Sequence, residues 1–334
     1  MTKNSSLFRS KISGTGSYLP ERVLTNADLE KMVDTNNEWI IERTGIRHRH
    51  LASADQTTSD LALIASQRAL EAAGLSPKDL DMIIFSTSTP DYLVPSAACY
   101  LQAKLGAPNA MSFDLAAACS GFVYSLTVAD QFIRTGMYKN ILIVGAEVLH
   151  RWVNYKDRET CILFGDGAGA AVVSRAEEGS TAEILTSHMH ADGTLADLFI
   201  VPAGGASVPV SSATVEQDLH YIRMKGREIF KNAVRTLTQC CQEALETTGF
   251  DVNKIDWLVP HQANLRILDS VAHYFGIPSE KVIVNLPETG NTSAATIPIA
   301  LDEAIRDGRI QRGQHILLAA FGAGLTSGSV LMRY

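Results

Sequence analysis

The sequence predicts an α/β protein built from two similar halves. Amphipathic helical stretches alternate with short, nearly continuous apolar runs, which are typical of strands covered on both faces. Segments also recur in order: ALEAAGLSPKDLD at 69–81 returns as ALETTGFDVNKID at 244–256. The glycine-rich run FGDGAGAAVV at 164–173 likewise returns as FGAGLTSGSV at 321–330. We therefore predict two copies of one α/β unit, with domains at 1–174 and 175–334.

The elements of the first half follow from periodicity. Residues 59–73 place apolar side chains on one helical face and stop at Gly74, a frequent helix end. The apolar run at 80–86 predicts a strand, and a shorter strand is predicted at 111–113. Small residues around Cys119 permit a sharp turn into a helix that reaches about Thr135.

The second half repeats this order. Strands are predicted at 255–260 and 282–286, and a stretch rich in Gly, Ala, Ser and Pro at 190–212 predicts a long loop. The glycine-rich runs at 165–169 and 322–324 lead into strand-like segments, whereas a dinucleotide site needs such glycines to open a helix. The pattern therefore argues against a nicotinamide cofactor.

Composition narrows the class of protein. Of the 334 residues 46% are apolar and only 19% are charged, which indicates a large buried core. A net charge of −7 argues against nucleic-acid binding, which requires clustered positive charge. The apolar runs are far shorter than the ~20 residues that cross a bilayer, and the polar N-terminus does not resemble a signal peptide.

Cysteine usage points to a reducing compartment. An odd number of cysteines, five, favours free thiols in the cytoplasm. Neither cysteines nor histidines occur at metal-binding spacings, so no metal site is predicted. We predict a cytoplasmic protein without a membrane or nucleic-acid partner.

Three reactive side chains follow predicted strands, where chemistry gathers in α/β sheets. Cys119 begins a helix, His261 follows the strand at 255–260, and Asn291 follows the strand at 282–286. A helix dipole stabilises a thiolate by at most about 2 kcal/mol, or about one pKa unit, so Cys119 needs a base, and His261 could supply it. Each residue also has a structural alternative: a buried thiol, a hydrogen-bonded core histidine and a helix-capping asparagine.

Taken together, three motifs closely resemble those of the β-ketoacyl-[acyl-carrier-protein] synthase III family: AAACSG at 116–121, PHQAN at 260–264 and GNTSAA at 290–295. The similarity extends from about Ile12 to Tyr334 and includes RTGIR at 43–47. The resemblance implies a thiolase fold, with two α/β halves in a layered αβαβα arrangement, and a homodimer. It also implies a decarboxylative condensation of an acyl-CoA with malonyl-acyl carrier protein that begins type II fatty-acid synthesis.

The resemblance further implies a role for each site residue. Cys119 would carry the acyl group as a thioester, while His261 and Asn291 would hold the thioester carbonyl of the malonyl substrate as it loses CO₂. The remaining catalytic and CoA-binding positions correspond to Ala323 (oxyanion hole), Phe321 (apolar shield), Trp39 and Arg158 (on the adenine faces), Arg43 and Asn264. No cofactor is implied, because acyl-CoA is itself a substrate.

Two further roles follow from the resemblance. Lys231 and Arg266 match positions that dock the acidic carrier protein. Val94 replaces a phenylalanine that is common in acetyl-primed members and that reaches the neighbouring subunit's acyl pocket. The smaller side chain predicts acceptance of longer or branched primers alongside acetyl-CoA, because one methylene contributes only ~1–3 kcal/mol of discrimination.

Three other functions remain open on the sequence. A condensing enzyme of secondary metabolism, of the polyketide or quinolone type, could use the same Cys–His–Asn set. A cysteine hydrolase shares these residue types, although the internal repeat does not fit it. A non-catalytic module that binds acyl groups or CoA would not need Cys119.

Overall fold

The computed structural model describes residues 7–334, in which most strands belong to two sheets. The strands are β1 (Ser10–Tyr18), β2 (Arg22–Thr25), β3 (His48–Leu51), β4 (Met82–Ser86), β5 (Met111–Leu115), β6 (Asn140–Glu147), β7 (Gly167–Arg175), β8 (Glu183–Ala191), β9 (Phe199–Ile200), β10 (Arg223–Met224), β11 (Trp257–Pro260), β12 (His315–Gly322) and β13 (Thr326–Arg333). The first sheet has the order β1-β7-β6-β4-β5 and the second β11-β12-β13-β8.

The helices vary widely in length. They are α1 (Asn26–Leu29), α2 (Asn37–Thr44), α3 (Thr58–Ala73), α4 (Ala97–Leu105), α5 (Gly121–Arg134), α6 (Ser212–Glu216), α7 (Gly226–Thr248), α8 (Leu265–Phe275), α9 (Leu286–Thr289) and α10 (Thr296–Arg306). Several end at a glycine in the left-handed conformation, as α3 does at Gly74 with φ 65°. That helix end was predicted from the sequence.

The sheets and helices form five layers. Successive side chains of strand β6 point to opposite faces of the first sheet. Ile141 and Ile143 pack with one cluster of buried residues, and Leu142 and Val144 pack with another, so helices cover both faces. The first cluster joins both sheets through α5 and α10, which therefore lie between them. Helices α3 and α4 cover the outer face of the first sheet, and α7 and α8 that of the second. The predicted αβαβα arrangement is confirmed.

The internal repeat is visible in the backbone. The first residues of β6 and β12 are 175 residues apart, and so are their last residues. The last residues of α3 and α7 have the same spacing. The same spacing relates Ala118 and Ser293, non-glycine residues with φ of 45° and 50°. Both sit in short 3₁₀ turns, at Ala118–Ser120 and Ser293–Ala295, that lead into α5 and α10. Each half therefore builds the same strained turn ahead of an inner helix.

Glycines let the two halves approach closely. A Cβ atom on Gly145 of β6 would lie 2.2 Å from the carbonyl oxygen of Ala294, and one on Gly169 of β7 would lie 2.7 Å from Pro298. Real Cβ atoms are not found at such distances, so only glycine lets β6 meet the backbone of Ala294 and β7 meet the Pro298 ring. This glycine seam, Gly145 and Gly169 against residues 294–298, sets how closely the start of α10 packs on the first sheet.

Two sequence predictions about elements are corrected. The apolar run at 282–286 forms only one bridge, between Val282 and Leu258, because the chain enters the helical turn of α9 at Leu286, with Pro287 as its second residue. The stretch at 190–212 is not a plain loop, since it contains a 3₁₀ helix at Gly193–Leu198 and strand β9.

The domain division at residues 174 and 175 falls at the end of β7 and stays a prediction. Within residues 7–334, the helices lack the length and apolar character that a bilayer span requires.

Candidate active site

One cavity of about 720 Å³ brings together residues from both halves. Cys119 reaches it from the first half, and His261 and Asn291 reach it from the second. Among the other residues singled out in the sequence, its lining includes Trp39, Arg43, Asn264, Arg266, Phe321 and Ala323. The structure thus places residues far apart in the chain around one cavity.

Cys119 occupies the tight turn between β5 and α5. The turn packs on the end of β12 so closely that a Cβ on Gly322 would lie 2.7 Å from the Cys119 nitrogen. Burial raises the pKa of the thiol to about 12, a hydrogen bond from Ser293 opposes this shift, and the charge of Glu147 adds to it. The thiol of the free chain is therefore protonated at neutral pH.

His261 is held from two sides. Its backbone N–H donates to the Ala319 carbonyl over 2.8 Å, and its Nδ1 lies 2.7 Å from the Thr296 hydroxyl oxygen. Burial lowers the pKa of the imidazole to about 3, so the ring is neutral at physiological pH. The sequence suggested His261 as the base for Cys119, but a ring with so low a pKa is a poor proton acceptor.

Asn291 is fixed through its backbone and its side chain. Its N–H donates to the Leu163 carbonyl over 2.9 Å, and its carbonyl accepts from the Gly165 N–H over 3.1 Å. The side-chain Oδ1 accepts from the Ser293 N–H over 2.9 Å. With Oδ1 engaged, the amide NH₂ is the group that Asn291 can offer to a substrate oxygen.

Arg49, which the sequence interpretation missed, supports the Asn291 loop. Its guanidinium is fully buried and donates to the Ile162 carbonyl and to Asn26 Oδ1, both uncharged acceptors. Burial lowers its pKa to about 10, so it stays charged at neutral pH. A Cβ on Gly290 would lie 3.0 Å from the Arg49 side chain. In the sequence, Arg49 stands among other basic residues next to the RTGIR motif, a pattern that suggests exposed charge. The sequence therefore contains no signal for the buried role of Arg49.

Phe321 and Ala323 end β12 beside the reactive groups. The Phe321 ring meets the His261 ring edge-on, with 5.8 Å between their centroids. Ala323 follows Gly322 in the turn that contacts the Cys119 backbone. Both line the cavity, and their roles as apolar shield and oxyanion donor stay predictions.

The CoA-binding candidates cluster at the cavity mouth. The guanidinium of Arg43 lies 4.8 Å from the centre of the Trp39 ring, and that of Arg158 lies 4.6 Å from it. A purine between Trp39 and Arg158 needs two contact layers of about 3.5 Å each, so Arg158 must move outward to form the expected sandwich. Asn264 caps α8 and donates to the Arg43 carbonyl over 2.8 Å, which ties this rim to the second half.

Val94 and Lys231 do not line the cavity. Val94 is 84% exposed on the segment before α4, and Lys231 is exposed on α7. Arg266 does line the cavity, and its guanidinium lies 5.5 Å from the centre of the Phe230 ring. A role for Val94 in an acyl pocket therefore requires a second subunit.

A thiol just before a helix, with a neutral imidazole and a carboxamide on the same cavity, is the arrangement expected of a thiolase-like acyltransferase. The models for the 3-oxoacyl-[acyl-carrier-protein] synthase III family match residues 113–193 and, for its C-terminal part, 245–334. The β-ketoacyl-[acyl-carrier-protein] synthase III of Caldanaerobacter subterraneus subsp. tengcongensis is 54% identical over 97% of each chain. The chain belongs to the 3-oxoacyl-[acyl-carrier-protein] synthase III family, and it is an acyltransferase.

Solved structures agree with this assignment. The 3-oxoacyl-[acyl-carrier-protein] synthase III of Aquifex aeolicus superposes with a TM-score of 0.90 at 49% identity, over 97% of this chain and all of that one. A priming β-ketosynthase from the R1128 polyketide pathway also has a TM-score of 0.90, at 34% identity, over 99% of this chain and 98% of that one. The fold is therefore shared by enzymes of different pathways.

Proposed function

We propose that Cys119, His261 and Asn291 divide between them the two half-reactions of a decarboxylative condensation. The reaction joins the acyl group of an acyl-CoA to malonyl-acyl carrier protein and begins fatty-acid synthesis, as expected of this family. The observation that carries the assignment of roles is the convergence of these three side chains on one cavity.

The first half-reaction loads the enzyme. The Cys119 sulfur attacks the thioester carbonyl of acyl-CoA, the bond to the CoA sulfur breaks, and the proton lost by Cys119 ends on that sulfur. Backbone N–H groups of Cys119 and Ala323 stabilise the negative oxygen of the tetrahedral intermediate. The Ser293 hydrogen bond and the start of α5 favour the thiolate as it forms, since both lower the pKa of the thiol.

The second half-reaction makes the carbon–carbon bond. Malonyl-acyl carrier protein loses CO₂, and the electron pair of the broken bond becomes an enolate. His261 and Asn291 donate hydrogen bonds to its oxygen, which is more negative in the transition state than in the substrate. The enolate carbon attacks the acyl-Cys119 carbonyl, and the Cys119 thiolate leaves and is free again.

Mass spectrometry of the intact protein tests these roles. After mixing with acetyl-CoA, we expect an acetyl adduct on the native chain and none on Cys119→Ser. Malonyl-acyl carrier protein should then release CO₂ and remove the adduct, while Asn291→Ala should load normally but decarboxylate about 10²–10³-fold more slowly, the usual cost of one lost donor. An adduct that persists in Cys119→Ser, or equal damage to both half-reactions in Asn291→Ala, would contradict the assignment.

The cavity mouth supports CoA and carrier-protein binding. Trp39, Arg43 and Arg158 offer an aromatic face and two cations to an adenine nucleotide. Arg266 at the rim and Lys231 on α7 offer positive charge to an acidic carrier protein. Arg266→Glu should raise the KM for malonyl-acyl carrier protein and spare loading from acyl-CoA, as a steady-state comparison of the two substrates can check.

A homodimer is part of the proposal. Strand β5 is the outer strand of its sheet and pairs on one side with β4. Beside it, Tyr92, Leu93 and Val94 are at least 60% exposed, and Asp114 of β5 accepts the backbone N–H groups of Ala97 and Ala98. An apolar segment next to an open strand edge suits a second copy of the chain.

In the proposed dimer, Val94 of one subunit lies at the acyl pocket of the other, so its size influences which primers fit. A small side chain at this position leaves more room in the partner's acyl pocket than phenylalanine would. Acetyl-, isobutyryl- and octanoyl-CoA should therefore all serve as primers, and Val94→Phe should shift kcat/KM towards acetyl-CoA by about 10-fold or more. A native enzyme that uses acetyl-CoA alone would contradict this proposal.

Secondary metabolism is the second candidate pathway, and the likeness to the R1128 priming β-ketosynthase favours keeping it. The two candidate pathways are distinguished by the extender substrate, since fatty-acid initiation requires malonyl-acyl carrier protein, whereas a CoA-dependent enzyme accepts malonyl-CoA.

A cytoplasmic location is also proposed, and the five free cysteines support it. Fractionation of cells that express the protein would check that location.

A further inference from the structure

Thr296, at the start of α10, contacts the Nδ1 ring nitrogen of His261. Its Oγ1 lies 2.7 Å from Nδ1, and both side chains are buried. Because Nδ1 is turned towards α10, Nε2 is the ring nitrogen on the cavity side. A neutral imidazole carries one proton, so the hydrogen bond at Nδ1 decides whether Nε2 donates or accepts.

The Thr296 hydroxyl has two acceptors within reach. Besides Nδ1, the Ser293 carbonyl oxygen lies 3.1 Å away. That oxygen already accepts the backbone N–H of Thr296, so it keeps a partner when the hydroxyl points elsewhere. Two networks satisfy these atoms: the hydroxyl donates to Nδ1, or it accepts from a protonated Nδ1 and donates to the Ser293 carbonyl. Only the first network leaves the imidazole proton on Nε2, where the proposed enolate oxygen needs a donor.

We propose that Thr296 is a positioning residue, which donates its hydroxyl proton to His261 Nδ1 and so keeps the imidazole proton on Nε2. This inference rests on the proposed function, because a donor at Nε2 is useful only where an enolate oxygen develops. Burial strengthens it: with a pKa of about 3, the ring does not gain a second proton near neutral pH. The choice of tautomer alone then determines whether Nε2 can donate.

The opposite tautomer would oppose decarboxylation. It would direct the Nε2 lone pair at the enolate oxygen, where negative charge grows, and only Asn291 would remain as a donor. Acyl loading would be spared, since the proposed oxyanion hole for that step consists of backbone N–H groups. Loss of the Thr296 hydroxyl should therefore separate the two half-reactions.

The tautomer can be read directly on the native chain. With ¹⁵N-labelled histidine, the nitrogen chemical shifts of a neutral imidazole distinguish the protonated from the unprotonated nitrogen, and loss of one signal set in His261→Ala assigns it. We expect His261 to carry its proton on Nε2 at pH 7 and at pH 5. A proton on Nδ1 in the native chain overturns the proposal without any measurement of activity.

Substitutions at Thr296 supply the kinetic test. Thr296→Val keeps the shape and removes the hydroxyl, and we expect decarboxylation of malonyl-acyl carrier protein to slow by about 10-fold or more while loading from acetyl-CoA changes less than about twofold. Thr296→Ser restores a hydroxyl and should recover most of the rate. The matched control is Thr186→Val, because Thr186 on β8 makes a similar contact, 3.0 Å to His188 Nε2, outside the cavity lining.

The outcomes separate this inference from the proposed function. If the native chain does not condense its substrates, the proposed function is wrong, and the nitrogen shifts still report the tautomer. If it condenses them but Thr296→Val slows both half-reactions equally, or Thr296→Ser does not recover the rate, Thr296 is only structural. Should Thr296→Val fail to fold, Thr296→Ser and the shifts of the native chain still decide the question.

Discussion

His261 shows at the level of one residue how burial sets chemistry. Its ring is enclosed and carries a pKa of about 3, while the same side chain in the unfolded chain titrates near 6.5. The low value makes the imidazole a neutral hydrogen-bonding group rather than a base. It also makes the free energy of unfolding depend on pH, because below pH 6.5 the unfolded chain binds a proton at this imidazole and the folded chain does not.

The sign of that linkage gives a prediction. Stability from His261 is fully present above pH 6.5 and is lost as the pH falls towards 3, by up to about 1.4 kcal/mol per pH unit. Between pH 7 and pH 5 the native chain should therefore lose about 2 kcal/mol more than His261→Ala, measured by urea unfolding at both pH values. His273→Ala, on the exposed face of α8, should behave as the native chain does. An equal loss in His261→Ala would refute the linkage.

Among the elements, the end of β12 packs against the turn that carries Cys119. A Cβ on Gly322 would meet three backbone atoms of residues 117–120 within 3.1 Å, and backbone cannot move aside as a flexible side chain can. This close approach also places the following residue, Ala323, in the cavity lining with Cys119. The strand end and the 3₁₀ turn therefore act as one unit.

Gly322→Ala should push the end of β12 away from the 3₁₀ turn at Ala118–Ser120. We expect the free energy of unfolding to fall by about 1–3 kcal/mol and the rate of acyl loading to fall at least about tenfold, as the oxyanion donors move apart. Gly205→Ala is the matched control, because a Cβ there meets open space, and it should change stability by less than about 0.5 kcal/mol. Normal loading by Gly322→Ala, followed as release of CoA, would show that the contact is unimportant.

Elements were predictable where the local pattern was strong. Helix α3 and strands β4 and β11 follow from periodicity and from stop signals such as Gly74. The run at 282–286 misled, because its apolar residues suit a strand but Pro287 favours a helical turn. Cys119, His261 and Asn291 were recognisable by motif. Arg49, Ser293 and Thr296 were not, because their roles depend on contacts with residues distant in the chain.

For the whole molecule, the open edge of β5 and its apolar neighbours form the proposed dimer surface. Leu93 is 84% exposed, which is costly for a large apolar side chain unless another surface covers it. If a second copy covers it, the pair also brings Val94 to the partner's cavity. Assembly and primer choice are then two results of the same contact.

Leu93→Asp tests the assembly. We expect the native chain to sediment as a dimer at micromolar concentration and Leu93→Asp to sediment mainly as a monomer, because a buried charge without a partner opposes association. Tyr274→Asp is the control, since Tyr274 is 61% exposed on α8, and it should leave the dimer intact. A native monomer, or a dimer that tolerates Leu93→Asp, would exclude this interface.

The glycine seam has a consequence for how the enzyme meets its substrates. Domains that close over a ligand by shear slide on interleaved side chains, which repack between two stable arrangements. At Gly145 such side chains are missing, because the main chain of β6 packs directly on the main chain of Ala294. Sliding of the first sheet past the start of α10 is therefore opposed at this point, and we expect motion that admits substrate to occur in the segments around Trp39 and Phe199 at the cavity mouth.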